Sequence, residues 1–379
     1  MSTAVPAANR GALGLAERII ELLEEGKKQA TYKYALLVAL LDLCLERTSS
    51  TGLPPETLTT RQLADKVVEL YWPHATPYEG RRVLRQGGGR DEQAEIVRRI
   101  ATFRAEHSPE PDLPAFRARH ERPKEFEQLV HFVEWKLVEM PIPRLQALGG
   151  EERRFLYTYG WTREIKQGQV TAYQKRRAGA DFDNRLLLFS GVGEHLVRLN
   201  GLLRPLLHRE WARKVAALNA LPEARLDEFL FGAVRIPLEP VRRPLVELQE
   251  GQCFYCRAGL RDRSGGVEVD HFIPWKRYPD NGIHNLVAAH SRCNNQKRDF
   301  LAAAPHVEHW AERIRQRGDD LDSVAAGLGW AGDRERSQRV ALAIYSRLPD
   351  DAQLWVRSGE FATLERSRVL GALETGAGK

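Results

Sequence analysis

The sequence is poor in cysteine and has no long apolar run. Four of its 379 residues are cysteines, too few for a disulfide framework in a chain of this length. No segment approaches the roughly 18–20 apolar residues that a membrane-spanning helix needs, and residues 1–13 lack a charged start followed by an apolar segment. We therefore expect a cytoplasmic protein with no membrane association. The longest apolar stretch, residues 34–45, is interrupted by Asp42 and predicts a buried helix.

The excess of positive charge is small, and it is concentrated in one region. Lysine and arginine number 57 against 51 acidic residues, which gives a net charge of +6. Residues 153–179 contain seven basic residues and one acidic residue, an excess as large as that of the whole chain. A local basic region of this kind is typical of a surface that meets a polyanion. The 42% of hydrophobic residues can form sizeable cores, which excludes wholesale disorder.

Aromatic residues alternate along the start of this basic region, and the alternation predicts a strand. They are Phe155, Tyr157, Tyr159 and Trp161. Two interpretations stay open at this stage: the aromatic face stacks on nucleic-acid bases while cations hold phosphates, or it is ordinary core. Four basic residues nearby are candidates for nucleic-acid binding, and a solvated turn is the alternative for the last three: Arg163, Lys175, Arg176 and Arg177.

The chain length predicts two or three domains at roughly 100–200 residues each. Residues 108–114 contain three prolines and two acidic residues, a composition typical of a linker. We predict a helical N-terminal domain over residues 1–112, with a winged-helix arrangement as one option, and a middle region over residues 113–249. Apolar residues recur at helical spacing in eight segments: 15–25, 31–48, 61–71, 91–106, 185–206, 210–218, 226–231 and 240–248.

Two pairs of metal-binding residue types flank a short segment of the C-terminal half. Cys253 and Cys256 are separated by two residues, as are His290 and Cys293, and 33 residues lie between the pairs. Four such ligands suit tetrahedral Zn²⁺, and a site whose four positions are all filled by protein is structural. We therefore predict a structural zinc site. Cys44, alone in an apolar helix, is expected to be a small buried hydrophobe.

Candidate catalytic residues lie between and just after these pairs. The pattern predicts a strand over residues 267–275, a second strand over 285–289 and a helix over 294–301 with Asn294 at its N-cap. A strand, a loop, a strand and a helix held together by zinc would bring four polar residues into one neighbourhood: Asp270, His271, Asn285 and Asn294.

Four short motifs follow one another in this segment: Cys-x2-Cys, Val-Asp-His-Phe-Ile-Pro, Asn-Leu-Val and Cys-Asn-x2-Lys. In this order they resemble the motifs of the HNH endonuclease family, whose fold is the ββα-metal finger. The resemblance covers residues 250–304. Many zinc-bearing members have cysteine where this sequence has His290, and imidazole is also a competent zinc ligand.

The resemblance implies a role for each candidate residue. Asp270 and Asn294 would bind one catalytic metal ion, His271 would be the general base, and Asn285 would fix the orientation of the imidazole. The chemistry of these side chains suits the implied roles, because carboxylate and amide oxygens bind Mg²⁺ or Mn²⁺ and imidazole titrates near neutral pH. Each residue taken alone also has a structural explanation as an ion pair, a turn residue or a cap.

Three residues after the last cysteine leave further alternatives open. Asn295 competes with Asn294 for the metal, and the Asn-x2-Lys spacing favours Asn294. Lys297 and Arg298 could contact phosphate or form an ordinary exposed helix end.

These observations predict an α+β protein, mainly helical, with an HNH module over residues 250–304 and a C-terminal helical extension over residues 305–379. We expect a metal-dependent endonuclease that acts on double- or single-stranded DNA, with a restriction or anti-phage role and a homodimer or a partner subunit as options. The alternatives are a zinc module that only binds nucleic acid, a nuclease directed at RNA, and a nuclease activated by a partner.

Overall fold

The computed structural model describes residues 11–24, 30–87, 93–107, 114–148, 151–232, 237–260 and 266–374. The chain forms two compact units: an N-terminal unit of Met1–Cys44 and Pro55–Gly232, and a C-terminal unit of Leu45–Pro54 and Ala233–Lys379. The finer division into four segments stays a prediction, and apart from Pro114 the predicted linker at 108–114 lies outside the described residues. Within the described residues, no helix is both long enough and apolar enough to cross a bilayer.

The N-terminal unit is mainly helical, as the apolar periodicity predicts. Its helices are α1 (Ala12–Glu24), α2 (Tyr32–Glu46), α3 (Thr60–Tyr71), α4 (Glu95–His107), α5 (Ala115–Glu121), α6 (Pro123–Glu139), α7 (Pro141–Leu145), α8 (Gln167–Gln174), α9 (Val192–Asn219) and α10 (Leu226–Phe231). The last two residues of α2 belong to the C-terminal unit.

Helix α2 is buried along its apolar stretch, which confirms the prediction for residues 34–45. Asp42, the charged residue in that stretch, forms an ion pair: its Oδ1 lies 2.5 Å from a guanidinium nitrogen of Arg204 in α9. Both side chains are buried. A second acceptor for the same guanidinium is Asn200 Oδ1, at 3.1 Å. A buried carboxylate and a buried guanidinium offset the cost of each other's desolvation.

The strands of the N-terminal unit are short. They are β1 (Thr57–Thr59), β2 (Pro77–Tyr78), β3 (Arg82–Val83), β4 (Ala147–Leu148), β5 (Glu151–Glu152), β6 (Tyr157–Tyr159) and β7 (Arg185–Leu188). One antiparallel sheet has the order β1-β7-β6, with Leu186 opposite both Leu58 and Tyr159. The remaining strands, each of two residues, pair as the antiparallel hairpins β2-β3 and β4-β5.

The helix predicted over residues 185–206 is wrong in its first four residues, which form β7. Backbone pairing with β1 on one side and β6 on the other outweighs the helical pattern there. Helix α9 begins after Gly191, whose φ of +79° suits glycine, and continues through Pro205 to Asn219. The two helices predicted over 185–206 and 210–218 are therefore one helix.

The C-terminal unit contains the predicted strand–loop–strand–helix arrangement. Its elements are α11 (Glu239–Leu248), β8 (Val267–His271), β9 (Leu286–His290), α12 (Ser291–Lys297), α13 (Ala304–Leu328), α14 (Arg334–Ser346), β10 (Gln353–Arg357), β11 (Glu360–Thr363) and α15 (Arg366–Glu374). Strands β8 and β9 are antiparallel, with His271 opposite Leu286 and Val267 opposite His290. The fold class predicted from the sequence is confirmed.

Helix α12 begins earlier than predicted. It starts at Ser291, with His290 at the N-cap, so Asn294 lies inside the helix and is not its cap. The early start places Cys293 in the first turn. The helix ends before Arg298, whose φ is +49°.

Residues from the N-terminal part of the sequence complete the C-terminal unit. The segment Leu45–Pro54 is assigned to this unit, and Tyr278 donates its hydroxyl hydrogen to Glu46 Oε1 at 2.5 Å. Both residues are buried. The β10-β11 hairpin, which the sequence reading did not predict, pairs through Trp355 with residues 301–303 that follow α12.

Candidate active site and zinc centre

Four metal-ligand side chains converge beside the β8-β9 pair. The ligand atoms of Cys253, Cys256, His290 and Cys293 all lie within 4.8 Å of one another. The first two come from the turn before β8, the third ends β9 and the fourth lies in the first turn of α12. The structure therefore brings the Cys253–Cys256 pair and the His290–Cys293 pair together, as their spacing predicts.

Hydrogen bonds orient the imidazole of His290 toward the sulfur atoms. His290 Nδ1 lies 3.3 Å from Cys256 Sγ, and Nε2 lies 3.2 Å from the carbonyl oxygen of Gly259. A proton on Nε2 is donated to that carbonyl, which leaves the lone pair of Nδ1 facing the cluster. An orienting partner of this kind is usual for a metal-bound histidine.

The Cys256 thiol ionises readily, as a zinc ligand does, whereas burial and the two neighbouring cysteines raise the pKa of the Cys293 thiol to about 12 in the metal-free cluster. Burial opposes ionisation of Cys256, but a hydrogen bond from the backbone of Ala258 and contacts with the three other ligands lower the pKa of its thiol to about 7. The main-chain nitrogen of His290 lies 3.4 Å from Cys253 Sγ. Three sulfurs and one imidazole nitrogen at these separations fit tetrahedral zinc.

His271 lies at the end of β8 and is almost fully buried. Its Nε2 is 2.7 Å from Asn281 Oδ1, and with the amide oxygen as acceptor Nε2 carries the proton and Nδ1 the lone pair. Burial lowers the pKa of His271 below its usual value, although the bond to Asn281 and the nearby Asp270 oppose this change. The imidazole is therefore neutral near pH 7 and can accept a proton.

The carboxylate of Asp270 is held by two buried groups. Tyr255 donates its hydroxyl hydrogen to Oδ2 at 2.5 Å, and Lys297 Nζ lies 3.0 Å from the same oxygen. Burial and the neighbouring carboxylate raise the pKa of Tyr255 well above its usual value, so its hydroxyl stays a donor. Because both contacts go to Oδ2, the second carboxylate oxygen is the one that a cation would use.

Asn294 faces the same side of β8. Its Nδ2 donates to Glu268 Oε2 at 2.6 Å, and Glu268 precedes Asp270 by two residues, so their side chains lie on one face of the strand. Asn294 and Lys297 are one helical turn apart in α12, and they contact Glu268 and Asp270 respectively. The amide nitrogen of Asn294 is occupied by the bond with Glu268, and its role as a metal ligand stays a prediction.

The role predicted for Asn285 is wrong. Its side chain does not contact the imidazole, but bonds to both backbone groups of Ile273 and to the carbonyl oxygen of Asp280. The amide that holds the imidazole belongs to Asn281. Asn285 thus fixes the ends of the loop between β8 and β9, and Asn281 orients His271.

The two basic residues after Asn294, Lys297 and Arg298, differ in their exposure. Lys297 is fully buried and donates to the carbonyl oxygen of His271 at 2.9 Å, so a direct contact with substrate phosphate, predicted as one option, does not fit its position. Arg298 is exposed, with its Nε 3.2 Å from the carbonyl oxygen of Asn295. Its contact with phosphate stays a prediction.

The aromatic residues of the basic region are core residues. Phe155, Tyr157, Tyr159 and Trp161 are all buried, which contradicts the interpretation that they stack on nucleic-acid bases. The exposed side chains of Lys175, Arg176 and Arg177 lie on or just after the end of α8. Arg163 is also exposed, at 3.6 Å from Glu152. A contact between these four cations and nucleic acid stays a prediction.

Three site residues were missed by the sequence reading. Tyr255 lies inside the first cysteine pair, where it looked like a spacer. Asn281 lies in the loop between the two predicted strands, directly before Gly282. Glu268 alternates with Asp270 on β8, and this period of two was the signal that could have identified it.

Comparison with known proteins agrees with this geometry. The model of the HNH endonuclease family matches residues 253–303, which contain the whole cluster, so the chain carries an HNH endonuclease domain. The Septu protein PtuB of Bacillus thuringiensis is 34% identical over 79 residues, which cover 20% of this chain and 31% of that protein. The match thus spans about a third of the length of this curated relative. No solved structure matches the chain.

A second family model covers most of the N-terminal unit. It is described as a domain of unknown function, DUF8808, and it matches residues 10–229. Because this match includes more than half of the 379 residues, the chain belongs to the DUF8808 family.

Proposed function

We propose that the protein is a divalent-metal-dependent endonuclease of the HNH type that hydrolyses phosphodiester bonds in DNA. One observation carries the proposal: β8 and α12 bring Asp270 and Asn294 to one face, while the adjacent His271 is neutral and held by Asn281. Oxygen ligands next to a neutral imidazole are the groups that phosphodiester hydrolysis needs.

In this proposal, the second carboxylate oxygen of Asp270 and the amide oxygen of Asn294 hold Mg²⁺ or Mn²⁺. When bound, the cation would stabilise the negative charge that develops on the phosphate. His271 Nδ1 accepts a proton from the attacking water, and the bond from Nε2 to Asn281 stabilises the positive charge that the ring acquires.

Zinc has a separate, structural role in the proposal. With Cys253, Cys256, His290 and Cys293 all engaged, the ion has no position left for substrate. It ties the turn before β8 to the end of β9, which pairs with the strand that carries Asp270, and to the start of α12, which carries Asn294.

Features outside the candidate active site support the proposed substrate and biological role. The exposed cations Arg163, Lys175, Arg176 and Arg177 are proposed to hold the nucleic acid. A role in anti-phage defence, with or without a partner subunit, is supported by the similarity to a Septu protein and by the large N-terminal unit that precedes the nuclease module. DNA is proposed as the substrate, with RNA as the alternative.

A zinc module that only binds nucleic acid is the competing function. The buried pair of Asp270 and Lys297 favours it, because a carboxylate neutralised by an ammonium group is a weaker cation ligand. Against it, a binding module has no need of a buried neutral imidazole that Asn281 orients, or of a carboxylate held in place in the preceding residue.

The test is cleavage of supercoiled plasmid, single-stranded DNA and RNA with Mg²⁺ or Mn²⁺. The His271→Ala variant should lose cleavage and keep the zinc content and melting temperature of the wild type. The matched control is His195→Ala in α9 of the N-terminal unit, which should cleave normally. Cleavage by the His271→Ala variant would refute the assignment, and metal-independent binding without any cleavage by the wild type would establish the competing function.

A further inference from the structure

The segment that links β8 to β9 carries Asn281 and is held from outside the HNH module. We call residues 277–285 the Asn281 loop. Trp310 Nε1 and Arg313 Nη2, both in α13, each donate to the carbonyl oxygen of His284 at 2.9 Å. A further bond runs from the main-chain nitrogen of Ile283 to the carbonyl oxygen of Ala331, also at 2.9 Å.

Three more contacts reach Asn281 and the residue before it. Trp330 Nε1 donates to the carbonyl oxygen of Asn281 at 2.7 Å. In the preceding residue, the buried carboxylate of Asp280 lies 3.4 Å from Ser337 Oγ and 3.4 Å from an Arg336 guanidinium nitrogen, both in α14.

The residues that hold the Asn281 loop in these bonds all lie within residues 310–337, whereas the HNH family match ends at residue 303. They fix main-chain groups of three residues within a stretch of four: Asn281, Ile283 and His284. These main-chain contacts after the Asn281 side chain, together with the contacts to the Asp280 carboxylate before it, determine where the amide oxygen of Asn281 lies, and this oxygen holds the imidazole of His271.

We propose that α13, α14 and the connection between them form a clamp that positions the catalytic base, with Trp330 as its central residue. This inference rests on the proposed nuclease function. Trp330 acts through Asn281, so it is a positioning residue and does not touch substrate. Its indole ring also packs, partly buried, against the core cluster that contains Leu321 and Ala325.

The Trp330→Phe variant separates the hydrogen bond from the packing, because phenylalanine keeps an aromatic ring and lacks the donor. The matched control is Tyr345→Phe, which removes a 2.8 Å bond from a buried side chain of α14 to the carbonyl oxygen of Ala302, outside the Asn281 loop. Both variants leave one carbonyl group without its side-chain donor, so their general cost in stability is similar.

We expect Trp330→Phe to lower kcat on the order of 10- to 100-fold, the loss typical of a catalytic group displaced by about 1 Å, with little change in KM. Tyr345→Phe should keep the wild-type kcat. The double variant Trp330→Phe/Asn281→Ala should cleave no more slowly than Asn281→Ala alone, because both changes disrupt the same contact. A role in general stability alone would not produce this non-additivity.

Hydrogen–deuterium exchange gives a readout that is independent of cleavage. In Trp330→Phe, peptides covering residues 277–285 should exchange at least tenfold faster, and peptides covering the two cysteine pairs should exchange as in the wild type. A wild-type kcat, additive effects in the double variant, or an unchanged exchange rate in the Asn281 loop would overturn the clamp. If the wild type cleaves nothing, the proposed function fails, and the exchange data still decide whether Trp330 holds the loop.

Discussion

Replacing Lys297 tests the metal-binding role of Asp270 directly. The ammonium group of Lys297 is fully buried, 3.0 Å from Asp270 Oδ2, and it also donates to the carbonyl oxygen of His271. The Lys297→Met variant keeps most of the aliphatic stem and removes the charge. The carboxylate of Asp270 then stays buried with the hydroxyl of Tyr255 as its remaining described partner.

The size of the effect follows from the burial of the pair. Removing one partner of a buried ion pair costs about 3–5 kcal/mol, because the other charge is left without compensation. One kcal/mol shifts the melting temperature of a domain of this size by roughly 2–4 °C, so the variant without added metal should melt roughly 6–20 °C below the wild type. A divalent cation on Asp270 would replace the missing positive charge and recover much of this loss.

The assay is thermal unfolding of zinc-replete protein with increasing Mg²⁺ or Mn²⁺ at constant ionic strength. Lys297→Met should gain more stability from the cation than the wild type, in which the ammonium group repels the incoming metal. The double variant Lys297→Met/Asp270→Asn is the control: with both charges removed, it should melt close to the wild type and not respond to the cation. A deficit in Lys297→Met that no divalent cation reduces would show that Asp270 is not a cation ligand.

Three further predictions concern other parts of the chain. Cys256→Ser should lose bound zinc and melting temperature together, measured by metal analysis and calorimetry. Replacing Arg176 and Arg177 by glutamate should weaken DNA binding and reduce its salt dependence in titrations, with no change in zinc content. Burial lowers the pKa of His284, so protonation of this residue favours the unfolded protein, and His284 should contribute up to about 1.4 kcal/mol per pH unit to the fall in the free energy of unfolding below pH 6.5. His284→Gln should flatten that dependence in urea unfolding curves, and an equally steep curve would contradict the assignment.

The cluster of three cysteines and one histidine could be predicted from the sequence because its information is local. Two pairs of ligands at the same spacing define a tetrahedral site almost without reference to the rest of the fold. The two strands and the helix that follow were predicted for the same reason, since their periodicity lies within short segments. The boundary of α12 was wrong by three residues, because the position of Cys293 within a helical turn cannot be read from spacing alone.

The partners of the catalytic residues could not be predicted, because they depend on contacts distant in sequence. Asn285 and Asn281 are both asparagines in the same loop, and only the course of the backbone decides which one reaches His271. Lys297 at the end of a short helix looked exposed, yet its ammonium group is paired with a carboxylate 27 residues earlier in the chain. The prediction of a helix over residues 185–188 was wrong for the same reason, since the strands that pair with β7 are distant in sequence.

The bond between Tyr278 and Glu46 has a consequence for the order in which the protein is made. The two residues are 232 positions apart, so at 5–20 residues per second Glu46 is synthesised roughly 12–46 s before its partner. The segment Leu45–Pro54 must therefore stay available while the N-terminal unit is being completed. An expression fragment that starts at residue 233 would lack this segment, and the first residues of the Asn281 loop would lose the bond from Tyr278 to Glu46.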